Sequence, residues 1–314
     1  MVIRSGALKR PAAGSRLIRA MIRYKYLYLL LIPGLVYLLV FCYLPMFGLV
    51  IAFQNYKAFG GVFKSPFIGF GNFQYLFRSD QFVSAVWNTF IISGYKIIFG
   101  FPVPIIFALL MNEIRSRSLK RSIQTILYLP HFLSWVIMFG LLFSFLSEFG
   151  PLNQLLMGMF GGKPIFFLSD TRYFRSVVVI SDIWKEVGWS AIIYLAALAS
   201  ISPELYEAAT IDGASRFKCI LKISLPSILP TITIMLLLRI GGILNAGFEQ
   251  IINLYNPTVF KVGDIIDTYV YRMGLVEMQF SLGTAVGLLK SMVSIVLIVL
   301  SYYLANRFAG YRIF

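Results

Sequence analysis

The fold is decided by residues 202–218, which read SPELYEAATIDGASRFK. Ser202 can cap a helix whose first position is Pro203, and Glu204 suits the positive end of that helix's dipole. Gly213 can adopt the left-handed conformation in which helices commonly end. These residues predict a short helix that is closed by a tight turn.

A second short helix is expected after this turn, running to Ile223 and stopped by Pro226. On the first helix, Ala208 and Ala209 have almost no side chain, so that another protein can approach the backbone closely. Glu207 places one negative charge beside this small patch, where it could pair with an arginine or lysine of a partner. A helix–turn–helix that only rests on lipid headgroups is the alternative to a docking site.

The rest of the chain is too apolar for a water-soluble domain. Of its 314 residues, 59% are hydrophobic and 13% are charged, and the mean hydropathy is +0.80, whereas soluble domains carry about 25% charged residues. A helix needs about 20 mostly apolar residues to cross a bilayer. Six stretches meet this length: residues 27–53, 88–111, 123–146, 176–201, 228–248 and 283–304. The sequence therefore predicts an all-α membrane protein with six transmembrane helices.

Basic residues lie mainly on one side of the predicted spans. Sixteen Lys and Arg residues fall on the side that holds both termini and the loop at 202–227, against eight on the other side. By the positive-inside rule, that side is cytoplasmic. The chain then divides into a basic cytoplasmic tail (1–26), a membrane domain (27–304) and a cytoplasmic C-terminus (305–314). The net charge of +15 follows this placement beside the spans, so nucleic-acid binding is not expected.

Chemical sites of other kinds are not indicated. Cys42 and Cys219 fall on opposite ends of this topology and are expected to be free thiols. The single histidine, His131, lacks a cluster of further ligands, so a metal site is not expected and His131 is interpreted as a packed helix residue. The string most similar to a P-loop, residues 162–164, lacks the earlier glycine and the Ser or Thr. The sequence therefore gives this chain no ATPase site of its own.

The loop at 202–227 resembles the EAA loop of binding-protein-dependent ABC importer permeases, whose pattern is E-A-A-x3-G-x9-I-x-L-P. The matching residues are Glu207, Ala208, Ala209, Gly213, Ile223, Leu225 and Pro226. The resemblance implies the six-helix fold of type I importer permeases, with a cytoplasmic coupling hairpin. It also implies that the first four of these residues couple the chain to a separate ATPase.

Other stretches resemble a narrower subgroup, the permeases for polysaccharides and complex oligosaccharides, found mainly in Gram-positive bacteria. They read YLPMFG at 43–48, SPFIG at 65–69, DTYVYR at 267–272 and AVGL at 285–288. The resemblance implies import of an oligosaccharide larger than a disaccharide across a bacterial plasma membrane. The residues leave open whether that sugar is neutral or carries uronic acids.

The same resemblance implies an assembly around this chain: a second permease subunit in a heterodimer, two ATPase subunits and an external solute-binding protein. ATP binding would close the ATPases, draw the docked hairpins together and open the spans outward, and hydrolysis would reverse this. ATP and Mg would be held by the ATPases. No cofactor, metal or covalent chemistry is expected on this chain.

Ionisable residues inside the spans are candidates for the substrate pathway, because charge in lipid is costly and usually faces a cavity or a partner. In the fourth span, one helical face carries Asp182, Lys185, Glu186 and Trp189. The other spans contribute Lys96, Arg239, Glu249 and Lys290. An aromatic ring beside hydrogen-bonding groups suits a sugar. An ion pair between Asp182 and Lys185 that only holds helices together is equally compatible with this face.

Near the outer end of the fifth span, Asn245 and Glu249 are expected to share a helical face. In the related maltose permease, the equivalents of the fourth and fifth spans line the sugar site, and comparable places here hold Trp189, Asn245, Phe248 and Glu249. The candidates for the substrate pathway are therefore Asp182, Lys185, Trp189, Asn245, Phe248 and Glu249.

An ion- or proton-coupled carrier that uses Asp182 and Lys185 is the alternative from a different functional class. Such carriers often contain internal repeats and broken helices. The sequence indicates neither feature, and this hypothesis leaves the loop at 202–227 unexplained. A regulatory or receptor membrane protein is a third, more distant alternative.

Overall fold

The computed structural model describes residues 23–309, with side chains as far as Leu304. Most of the predicted basic tail and the end of the predicted C-terminus lie outside the described residues. Within them, every regular element is helical except for one isolated bridge between Gln54 and Phe67. Five of the described helices are long and apolar enough to cross a membrane, and one bent pair provides a sixth span. The fold is the all-α, six-span membrane protein that the sequence predicts.

The first half of the described chain contains seven helices. They are α1 (Lys25–Phe53), α2 (Gly61–Lys64), α3 (Gly71–Arg78), α4 (Asp80–Glu113), α5 (Arg117–Tyr128), α6 (Trp135–Leu146) and α7 (Pro151–Phe160). In α4 the backbone is π-helical over Lys96–Gly100, directly before Pro102. The wider turn accommodates a residue that cannot donate a backbone hydrogen bond. It lies in the middle of the span and includes the buried Lys96.

The second half contains seven α-helices, besides a 3₁₀ turn at Pro257–Val259 and a π-helical segment at Tyr271–Val276. They are α8 (Phe174–Ala199), α9 (Pro203–Ile211), α10 (Arg216–Gly241), α11 (Phe248–Leu254), α12 (Phe260–Gly263), α13 (Ile266–Val270) and α14 (Phe280–Ala309). The fourth span is α8, which is followed after a bend of 70° by α9. Three charged residues, Asp182, Lys185 and Glu186, lie near the middle of α8, so its composition is less apolar than that of the other spans.

The third span lies further along the chain than predicted. The stretch at 123–146 is interrupted, because α5 ends at Tyr128 and a 3₁₀ turn follows at Leu129–Phe132. Pro130 lies in this turn, and proline cannot donate the hydrogen bond that a continuous helix requires. After the extended residue Leu133, α6 and α7 together form the candidate membrane span Trp135–Phe160.

The fifth span also differs from the predicted stretch at 228–248. It begins earlier, at Arg216, and ends earlier, at Gly241. Residues 242–247 form a turn that ends at Gly247, whose φ of +102° is left-handed and therefore favours glycine. The interruptions at 129–134 and 242–247 are broken helices, a feature that the sequence did not indicate.

The interior consists of separate apolar clusters between the spans. Towards the α9 end, α4, α8 and α10 pack around buried side chains that include Ala108, Tyr194 and Ile228. Near the other end, α8 and α11 pack around Phe174 and Ile251. By contrast, only 6% of the apolar part of α1 is buried. An apolar helix that is exposed on all sides suits contact with lipid or with another membrane protein.

Candidate functional site

The predicted cytoplasmic loop is built on α9. The Ser202 hydroxyl accepts a hydrogen bond from the backbone N–H of Glu204 at 3.3 Å, and Pro203 is the first helical residue. Gly213 has φ +75°, the left-handed conformation expected where a helix ends. The short helix and its closing turn therefore have the structure that the sequence predicts.

The second arm of the loop differs from the prediction. The helix that begins at Arg216 does not stop at Pro226 but continues to Gly241 as α10. A π-helical turn at Ile220–Ser224 precedes Pro226, and this wider turn lets the helix continue past a residue without an N–H. The loop is thus one short helix followed directly by the start of the fifth span, so α9 is coupled to α10 through a single turn.

Two side-chain contacts fix this region against the spans. The hydroxyl of Tyr206, on α9, lies 2.9 Å from the hydroxyl of Ser224 in α10. Arg216, at the start of α10, donates to the carboxylate of Glu113 at the end of α4, at 3.1 Å. These contacts hold α9 beside the ends of α4 and α10.

The small patch on α9 remains open. Glu207 and Ala208 are exposed and Ala209 is half-buried. Among the described residues, the carboxylate of Glu207 has no hydrogen-bond or ion-pair partner. A carboxylate beside two alanines is thus available to a partner on this face.

A polar cavity of about 380 Å³ lies between α4, α8 and the end of α10. The charged residues in its lining are Lys96, Asp182, Glu186 and Arg239. Asn245, from the broken fifth span, also lines it. A larger cavity of about 680 Å³ between α6 and α8 is lined mainly by apolar and aromatic side chains. Because sugar hydroxyls require hydrogen-bond partners, the polar cavity is the better candidate for the substrate pathway.

Lys96 is the centre of the polar network beside this cavity. It is 7% exposed, and its Nζ donates to Asp182 at 2.8 Å, to Gln250 at 2.6 Å and to the carbonyl of Ala246 at 2.9 Å. Gln250 in turn donates to the Ser181 hydroxyl at 2.9 Å. The ammonium group is therefore fully bonded, and it joins α4, α8 and the unwound end of the fifth span.

Lys185 does not pair with Asp182, so the proposed ion pair within α8 is wrong. The Lys185 side chain is buried, and its Nζ donates to the carbonyls of His131 at 2.6 Å and Leu133 at 2.7 Å. These carbonyls belong to the break between α5 and α6, where the helical partners are missing. Lys185 therefore holds the broken third span against α8, and it is not part of the lining of the polar cavity.

His131 lies in the 3₁₀ turn of this break rather than within a continuous helix, which corrects its interpretation as a helix residue. Its ring stacks on Trp189 with centroids 4.4 Å apart and an interplanar angle of 2°. Its Nδ1 lies 3.0 Å from a carboxylate oxygen of Glu186. Trp189 thus lies next to the cavity through His131 and Glu186, but does not line it.

The predicted helical face of Asn245 and Glu249 does not form, because the break at 242–247 separates Asn245 from α11. The amide oxygen of Asn245 accepts a hydrogen bond from Lys290 at 2.9 Å, and Lys290 also pairs with Asp267 at 2.5 Å. Phe248 packs near Tyr271, with ring centroids 5.7 Å apart. Glu249 is exposed in the first turn of α11. Of the six predicted pathway residues, the polar cavity thus contains Asp182 and Asn245.

Residues 100–310 match the family described as binding-protein-dependent transport system inner membrane component. This match covers more than half of the chain and includes α9 and most of the polar cavity. The chain belongs to this family. It is therefore a multi-pass membrane protein and a transport subunit, and this assignment favours the importer over an ion-coupled carrier.

Similar proteins of this family match over nearly the whole chain. Protein LplB of Bacillus subtilis (strain 168) is 47% identical over 92% of this chain and 91% of its own length. The polygalacturonan/rhamnogalacturonan transport system permease protein YteP of the same organism is 44% identical over 93% and 91%. A crystal structure of a bacterial alginate ABC transporter, in complex with an alginate pentasaccharide-bound periplasmic protein, contains a chain that is 42% identical. It superposes with a TM-score of 0.86 over 93% of this chain and 98% of that one.

Several residues of this transport subunit's polar network are not among the six pathway residues that the sequence predicts. The sequence shows that Lys96, Glu186 and Arg239 are ionisable residues within predicted spans. Their positions along the chain do not indicate that the three helices that carry them meet at one cavity. His131 and Gln250 carried no signal, because their partners are distant in the chain. Among the described residues, no group of three or more His, Cys, Asp or Glu side chains is placed to hold a metal ion.

Proposed function

We propose that this chain is one permease subunit of an ATP-driven importer that carries an oligosaccharide across a bacterial plasma membrane. The observation that carries this proposal is the likeness along nearly the whole chain to permeases of sugar-polymer transporters. A likeness of this extent includes the membrane spans, the α9 loop and the outer surface together, so the transported substrate class is expected to be similar.

The substrate is best described as an acidic oligosaccharide. One similar permease is named for polygalacturonan and rhamnogalacturonan, and the structural relative imports alginate, which is an acidic polysaccharide. The lining of the polar cavity supports this choice through Arg239, whose guanidinium has no hydrogen-bond acceptor among the described residues, whereas Lys96, Asp182 and Glu186 are engaged by other groups of the protein. Cations in a membrane protein are favourable where they meet anions or water.

The α9 loop is proposed to couple transport to a separate ATPase. Glu207 and Ala208 form its open face, Ala209 lies beside them, and Gly213 closes the helix. A cationic side chain of the ATPase is the expected partner of Glu207. Because α10 starts one turn after α9 and reaches the cavity at Arg239, movement of the docked loop would be transmitted directly to the substrate pathway.

The complete importer is proposed to contain a homologous second permease, two ATPases and an external solute-binding protein. The ATPases hold ATP and Mg, and this chain holds no cofactor. The basic side of the chain faces the cytoplasm, with both termini, and residues 249–282 contribute to the external surface. ATP binding opens the cavity outward to receive the sugar, and hydrolysis returns it to the inward-open state.

Within this chain, the substrate pathway is proposed to run through the polar cavity, with Asp182 and Asn245 in its wall. Trp189 acts indirectly: its ring stacks on His131, which in turn contacts the carboxylate of Glu186 in the cavity wall. Lys185 positions the broken third span, while Phe248 and Glu249 belong to the outer end of the pathway.

The substrate is tested on the external solute-binding protein that is proposed to serve this chain. Calorimetric titration with oligomers of galacturonate, alginate oligomers and neutral oligosaccharides of equal length identifies its ligand. We expect tight binding of an acidic oligomer. Exclusive binding of an amino acid, a metal ion or a phosphate ester would refute the proposed substrate class, while leaving the family assignment unchanged.

A further inference from the structure

Arg239 is the cation of the polar cavity that is least engaged by the protein itself. Its side chain is 48% exposed, and its shortest ion-pair contact is 3.9 Å, from Nη2 to Asp182, too long for a hydrogen bond. Within the described residues the guanidinium has no hydrogen-bond acceptor. Five N–H donors on a planar fork are therefore available to a ligand in the cavity.

The two acids of the same cavity are already held by other groups. Asp182 is bonded to Lys96 at 2.8 Å, and Glu186 lies 3.0 Å from His131. Lys96 itself has three acceptors and is almost fully buried. Lys96 is thus a structural cation, and Arg239 differs from it in being exposed and unbonded.

Arg239 is also the cation of the polar cavity that lines a second, adjoining cavity, which Asp182 and Glu186 line as well. The polar cavity of about 380 Å³ extends from it towards Ser93 and Asn245, and a smaller cavity of about 70 Å³ extends towards Pro104 and Tyr194. The smaller cavity lies on the side of the α9 loop, since Tyr194 belongs to the apolar cluster towards that end. A substrate that moves from one cavity to the other therefore passes the guanidinium.

We propose that Arg239 is the specificity-determining residue that binds the carboxylate of an acidic oligosaccharide during its passage. This inference rests on the proposed function and assigns the recognition of charge to one side chain. A guanidinium matches a carboxylate with two parallel hydrogen bonds, which an ammonium cannot reproduce. Asp182 competes for the same guanidinium from 3.9 Å, so the bound carboxylate is released as the sugar advances. Weak, sequential binding of this kind is what transport through a pathway requires.

The test compares two sugars in the reconstituted importer. Proteoliposomes containing the complete complex are supplied with ATP and with binding protein saturated either with a galacturonate oligomer or with the carboxyl-reduced oligomer of equal length. Saturation removes the binding protein's own preference from the comparison. Arg239→Gln is expected to lower uptake of the acidic oligomer roughly tenfold to a hundredfold, the effect of losing a charged hydrogen-bonded pair, and to leave uptake of the reduced oligomer within about twofold. Arg239→Lys is expected to be intermediate for the acidic oligomer only.

Controls separate this inference from the proposed function. Arg78→Gln removes an exposed cation at the end of α3 and is expected to change neither uptake rate. Equal loss of both sugars in Arg239→Gln, or no loss of either, would overturn the inference. If the Arg239→Gln complex does not assemble, the same two uptake rates are compared in Arg239→Lys. An equal decrease in the uptake of both oligomers in that variant contradicts carboxylate recognition. If the wild-type complex carries neither sugar, the proposed function fails instead.

Discussion

Replacing Lys96 with methionine removes the group that joins three segments of the membrane domain. Methionine keeps most of the length of the side chain, but it cannot donate the hydrogen bonds to Asp182, Gln250 and the carbonyl of Ala246. The Asp182 carboxylate, which is 14% exposed, then loses its nearest cation. We expect the Lys96→Met complex to be assembled but less stable.

The size of the effect follows from this loss. Removing one partner of a buried ion pair costs about 3–5 kcal/mol, because the other charge is left unpaired. Asp182 lines the cavity and has Arg239 at 3.9 Å, so the lower end of this range, about 3 kcal/mol, is expected. For a domain of this size, that corresponds to a decrease in the unfolding temperature of roughly 6–10 °C.

The assay is thermal unfolding of the purified complex in detergent. The fraction that remains folded after heating is measured by size-exclusion chromatography with fluorescence detection. Lys57→Met, which changes an exposed lysine between α1 and α2, is the control and is expected to shift the unfolding temperature by no more than about 1 °C. Adding Asp182→Asn to Lys96→Met removes the unpaired charge and is expected to restore at least about half of the loss. A shift for Lys96→Met no larger than that of the control, or no recovery in the double variant, would refute the central role of Lys96.

Three further predictions concern the α9 loop and the orientation of the chain. Glu207→Lys should leave membrane assembly intact but abolish ATP-driven uptake, whereas Glu204→Gln on the same helix should retain it; equal uptake by both variants would argue against a docking role. Gly213→Val should uncouple transport because a β-branched residue resists φ +75°, while Gly213→Asn, which tolerates this conformation, should keep most of the activity. Cysteine introduced at Lys163 should react with an impermeant maleimide in intact cells and cysteine at Ser118 should not, and the reverse pattern would invert the proposed topology.

The sequence was sufficient for the parts of the fold that depend on local chemistry. Ser202, Pro203 and Gly213 determine the start and end of α9 without help from distant residues, and each has the predicted role in the structure. The number of spans was equally accessible, because each apolar stretch must cross the membrane by itself. The same local reasoning failed at Pro226, where a π-helical turn lets the helix continue.

The helix breaks and the polar network could not be predicted, because both depend on contacts between distant segments. In the break at 129–134, the carbonyls of His131 and Leu133 accept hydrogen bonds from Lys185, some fifty residues later in the chain. The break at 242–247 is held by Lys96 and Lys290 from two other spans. The helical periodicity of α8 alone therefore suggests a pair of Asp182 with Lys185. In the structure, Asp182 instead accepts from Lys96 of α4, and Lys185 donates to carbonyls of the break between α5 and α6.

The measurement that tests the account most directly is uptake by the reconstituted importer under two energy sources. Proteoliposomes containing this chain, its partner permease and the ATPases are supplied with oligosaccharide-loaded binding protein, and labelled sugar in the lumen is measured over time. We predict uptake that requires both ATP and the loaded binding protein, and that is lost in Glu207→Lys. Uptake driven by a sodium or proton gradient without ATP, and retained in Glu207→Lys, would contradict the account.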